Sequence, residues 1–134
     1  ERDRKHELRQ SLRGALREIL SHIDIALLEE NAEPASSQSL DQDPKLVETL
    51  FVKLHGSKLD LRGMMNIKEA AARNFTTMHD LIPVAAQLSA DHMRWWLAIA
   101  DSVRQLSEAA DMEGVNFSTH KFLANLGEFD SLSL

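Results

Sequence analysis

Apolar residues recur at Leu8, Leu12, Leu16, Ile19, Ile23 and Leu27, in steps of four and three that line one side of an α-helix. Leu20, Ile25 and Leu28 flank the stripe and widen it to the arc of a helix packed on more than one neighbour. No proline precedes Pro34, and Gly14 is the weak point of the interior, costing about 1 kcal/mol relative to alanine. The pattern predicts a helix over residues 3–31, whose stretch Lys5–Glu29 measures about 37 Å at 1.5 Å per residue. An apolar edge of that length needs cover throughout. It is either the spine of a bundle or one side of a dimer seam.

From Ala32 to Asp43 the pattern stops in small polar residues around Pro34, which reads as a mobile loop. Asp43–Pro44 restarts a helix over 44–55, with aspartate as N-cap and proline in the first turn. Leu46, Val47, Leu50, Phe51 and Leu54 supply its apolar face, and Gly56 ends it. Asn66 and Glu69 resemble a capping box for a helix over 66–88 that Pro83 kinks or ends near Leu81. Ser89 caps a last long helix over 90–112, with Met93, Trp96, Leu97, Ala100, Val103 and Leu106 as its stripe and Gly114 as its stop. A short turn, Thr119–Leu126, follows, and residues 127–134 read as a frayed tail.

The predicted architecture is all-α: an antiparallel helical bundle of about four main helices plus a short C-terminal helical turn, in one domain spanning 1–134. At 134 residues, with 43% hydrophobic residues, the chain is long enough to bury a core without staples. The lack of cysteine excludes disulfides and thiolate chemistry. A net charge of −6 argues against nucleic acid as the main ligand. No apolar run approaches the roughly 20 residues of a membrane span, so the expected location is cytoplasmic. Contact with a membrane, at its inner face, would come only through a hypothetical segment upstream of Glu1.

Charge changes the picture at the first helix. Arg9, Arg13 and Arg17 stack at four-residue intervals, where like charges repel by a few tenths of a kcal/mol. This basic patch is expected to face water or an anionic surface. Within the same stretch, Lys5–His6–Glu7–Leu8–Arg9–Gln10–Ser11–Leu12 is similar to the phosphoacceptor box of sensor histidine kinases. The resemblance implies that His6 is phosphorylated, with Glu7 as its acid–base neighbour, in a dimeric bundle. It covers these eight residues, with Ser11 where the family usually has proline, and the chain shows nothing like the family's ATP-binding domain.

Other chemistry is sparse. His79–Asp80, Asp91–His92 and the pair Glu18/His22 lack the Glu-x-x-His spacing of helical metal sites, so no metal and no cofactor are expected. No glycine-rich loop or nucleophile elbow occurs. Trp95 and Trp96 point about 100° apart on a helix; Trp96 continues the stripe, leaving Trp95 to meet a partner. The sequence therefore leads to a non-enzymatic interaction domain that forms a homo-oligomer, with a dimer favoured, through Leu12, Leu16, Ile19, Ile23, Trp95 and Ile99. A histidine phosphotransfer module using His6 is the alternative. An acidic inhibitor-like protein that binds a basic partner is more remote, resting on the acidic excess downstream of residue 18.

Overall fold

The computed structural model describes residues 2–134, Arg2 by its backbone alone; Glu1, one of the charges of the first helix, lies outside them. The described residues form eight helices and no strand, not four helices and a turn. The predicted 3–31 helix is two segments, α1 (Arg2–Ala15) and α2 (Arg17–Ala26). They meet at Leu16, whose amide donates to the Arg13 carbonyl at 3.0 Å, a three-residue spacing that tightens the turn. Gly14 lies in that turn, where helix propensity is lowest. The apolar stripe crosses the break intact, with Leu12, Leu16, Ile19 and Ile23 all 0% exposed.

Beyond α2, Asn31 takes φ 68°, a left-handed conformation that asparagine tolerates better than most residues. Residues 32–43 are not a bare loop. The Ala35 amide donates to Asp24 Oδ2 at 2.8 Å, Ser36 caps α3 (Ser37–Gln42), and Leu40 is buried against α1 and α2. Next comes α4 (Pro44–Gly56), as the sequence predicts, with Asp43 Oδ1 accepting from the Lys45 amide at 2.9 Å.

The helix expected at Asn66 begins five residues earlier, as α5 (Leu61–Asp80), because Asp60 rather than Asn66 is its cap. Asp60 Oδ1 accepts from the Gly63 amide at 2.6 Å, and a Cβ on Gly63 would lie 2.9 Å from that oxygen and 3.0 Å from Ala26 Cβ. Glycine is what lets α5 and α2 approach here. The break predicted near Pro83 falls at Leu81, before α6 (Ile82–Leu88). Close to it, the Met78 carbonyl accepts from the buried Trp96 indole at 2.8 Å. Ser89 caps α7 (Ala90–Glu108), accepting from the His92 amide at 3.0 Å.

The C-terminal region departs furthest from expectation. Instead of a short turn and a frayed tail it forms α8 (Met112–Ser131), a 20-residue helix. Gly114 does not stop a helix; it sits in the first turn of α8, its amide donating to the cap Asp111 at 2.7 Å. Phe122, Leu123, Leu126 and Phe129 are all buried on one side of α8. The core runs between α5, α7 and α8, with α1 and α2 packed on α6 and α5, and α4 lying outside on α8. Among the described residues no helix is long and apolar enough to cross a membrane.

Candidate functional site

Five of the six residues expected at a subunit seam are interior. Leu12, Leu16, Ile19, Ile23 and Ile99 are covered within the single chain, so an interface through them would require the core to open. Of the two sources of cover open to this stripe, the spine of a bundle is the one these residues have. Trp95 is half-buried, with the Arg94 guanidinium 5.5 Å from its ring centroid, while Trp96 is the core residue that its position in the stripe predicts.

The arginine stack is corrected as well. Arg9 donates to the Leu132 and Asp130 carbonyls, both at 2.7 Å, where α8 ends and its carbonyls carry partial negative charge. One turn on, Arg13 is 3% exposed; its Nε meets Asp130 Oδ1 at 3.1 Å and its Nη1 donates to the Leu40 carbonyl at 2.8 Å. Arg17, exposed, pairs with Asp41. Three like charges can stack because each has its own acceptor in α8, in α3 or in the turn after it. They tie α1 and the start of α2 to these elements rather than presenting a patch to an anionic surface.

Burial works against both members of the Arg13–Asp130 pair. It pushes the Asp130 carboxyl up from its ordinary value, against the pull of Arg13 and then Arg9, and it pushes the Arg13 guanidinium down. The Asp130 side chain is 6% exposed, and its Oδ2 has no hydrogen-bond partner within the chain. A buried acceptor in that condition is costly.

Two hollows meet at Asp130 and Pro44. One is a polar cleft of about 660 Å³ lined by His6, Arg9, Gln10, Arg13, Gln42 and Ser133. The other is a groove of about 560 Å³ between α4 and α8, lined by Val47, Phe51, Leu123, Ala124 and Gly127, with the exposed carboxylates Glu48 and Glu128 beside them. His6 is exposed in the wall of the cleft. The stripe arithmetic finds Val47 and Phe51; the groove itself was hidden because Leu123–Asp130 reads as a turn and a tail.

The acid and histidine pairs singled out for metal do not assemble. Glu18 is held by Arg73 and Asn74 at 3.1 Å, His79 and Asp80 are exposed, and His92 is buried at 1% exposure. His92 Nδ1 lies 2.7 Å from Ser89 Oγ, its Nε2 is unpartnered, and its ring stands edge-on to Phe129 at 5.3 Å. Burial, helped by Arg9 and Lys5 and opposed by Asp91, lowers its pKa below the usual histidine value. The unfolded chain therefore binds its proton at a higher pH than the folded chain does. Stability is predicted to fall as pH drops through about 6.5. Urea denaturation at a series of pH values checks this, with His92→Leu giving a shallower decline and His120, also lowered by burial, supplying the remainder.

Comparison of the chain with protein-family models, with curated proteins and with solved structures finds no match.

Proposed function

We propose that this chain is a non-enzymatic helical interaction domain whose docking surface is the α4–α8 groove, and that its occupant is a basic amphipathic helix of a partner protein. The observation that carries the reading is the composition of the groove. The half-buried Phe51 makes an apolar floor over the core residues Val47 and Leu123, each 1% exposed, Ala124 and Gly127 leave room for a backbone to approach, and Glu48 and Glu128 supply negative charge beside it. A helix laid in such a groove buries its apolar face and presents its cationic face to the carboxylates.

The test is selection from a library of helical peptides that vary in charge and apolar spacing, followed by calorimetry. Basic amphipathic sequences are predicted to be enriched, to bind more weakly as salt rises, and to lose at least about tenfold in affinity against Gly127→Arg, an added like charge worth about 1.4 kcal/mol or more. Gly127 has open space where its Cβ would go, so that variant keeps its fold. Enrichment of acidic or charge-indifferent sequences, or equal binding to Gly127→Arg, overturns the reading. Concentration-dependent mass in sedimentation that Gly127→Arg abolishes would instead make a second copy the occupant.

A further inference from the structure

Above the groove, the same two helices bring together two histidines that the docking surface does not use. His55, in the last turn of α4, and His120, in the middle of α8, have ring centroids 4.5 Å apart, with planes at 76°. Phe51 closes one side, 4.7 Å from the His55 ring and 5.8 Å from that of His120. Edge-on and tilted aromatic packing accounts for part of this cluster. It does not account for the hydrogen bonding.

His55 Nδ1 lies 2.9 Å from the Phe51 carbonyl. A carbonyl only accepts, so Nδ1 carries the proton, and the neutral ring has its lone pair on Nε2. A ring whose other N–H is held by a backbone carbonyl is the arrangement that orients metal-binding histidines. The ring separation also fits. With metal–nitrogen bonds of about 2.0–2.1 Å, an ion lies about 3.2 Å from each ring centroid, so ligation at 90–109° puts the centroids about 4.5–5.2 Å apart.

We propose that His55 and His120 form a two-histidine site for a divalent transition-metal ion of the zinc, nickel or copper class, bridging α4 and α8. Imidazole nitrogen selects these ions over magnesium and calcium, which prefer oxygen donors. Among the described residues no group of three or more histidine, aspartate or glutamate side chains could hold an ion, so water completes the coordination. An ion there would pin the two helices that form the groove, one turn beyond Phe51. The inference is independent of what the groove binds.

The experiment titrates Zn²⁺, Ni²⁺ and, as a control, Mg²⁺ into the full chain freed of any histidine tag. Histidine ring nitrogens are followed by NMR for Zn²⁺, and thermal midpoints for all three ions. The expected result is a Zn²⁺-dependent shift of the His55 and His120 ring signals, with a midpoint raised by about 5 °C or more at roughly a hundredfold excess over the dissociation constant. Both effects should be absent from His55→Ala, a change at an exposed position that leaves the fold intact, and from His120→Ala. Shifts confined to His6, His22, His79 or His92, a midpoint rise that survives in His55→Ala, an equal response to Mg²⁺, or no response to any ion would each overturn the proposal.

Discussion

Arg13→Ala is expected to cost about 3–5 kcal/mol of folding stability, the usual consequence of removing one partner from a buried ion pair. The loss comes mainly from what is left behind. Asp130 would keep a carboxylate at 6% side-chain exposure with neither oxygen paired to arginine, and the Leu40 carbonyl would lose its donor. Against a total stability of about 5–15 kcal/mol for a typical domain, the variant stands near the edge of folding. Replacing both partners with apolar residues of similar size, Arg13→Met with Asp130→Leu, should recover most of the loss, since the uncompensated charge is gone. Urea denaturation of the two single variants and the double variant reads this directly.

The second large effect is at Phe129. Its ring is 0% exposed, packed 5.6 Å from Trp96 and edge-on to His92, on the segment that the sequence reads as a tail. Phe129→Ala opens a cavity between α7 and α8, at a cost of about 3–5 kcal/mol. For a chain of this size the thermal midpoint should fall by about 10–20 °C. A change at a frayed tail would instead move stability by less than about 0.5 kcal/mol. Scanning calorimetry separates the two by a wide margin. The effect should reach the groove too, because Phe129 fixes the same last turns of α8 that carry Gly127 and Asp130.

Much of the fold was legible because it rests on long periodic stripes and strong caps. Leu12 through Ile23 lie where a helix of 3.6 residues per turn puts them, and Asp43–Pro44, Ser89 and Pro83 mark boundaries that the structure keeps or moves by one or two residues. The misplaced starts of α5 and α8 share a cause. Asp60–Leu–Arg–Gly63 and Asp111–Met–Glu–Gly114 are the same device, an aspartate cap donated to by a glycine amide three residues on. Glycine's preference for helix ends outweighed that signal in the reading of Gly114. With the start of α8 lost, Phe122, Leu126 and Phe129 no longer formed a stripe, and the tail lost its visible reason to fold.

The site was harder to read than the fold. Arg9, Arg13 and Arg17 were recognisable as an anomaly, since helix stability alone does not explain them. Their acceptors lie 24 to 123 residues away in sequence, and no local pattern announces Asp130 or the end of α8. The subunit seam assigned to Leu12–Ile23 was correct in its demand for cover and mistaken about the source. Cover comes from α3, α5, α6 and the other helices of the same chain.

Amide hydrogen exchange over Leu126–Ser131 tests the central point, that α8 is a structural helix whose end, clamped by Arg9 and Arg13, builds both hollows. Protection within about tenfold of that at Ile99–Val103 in α7 is the predicted result. Exchange of these amides at the rate of unstructured chain, while α5 and α7 remain protected, would contradict it.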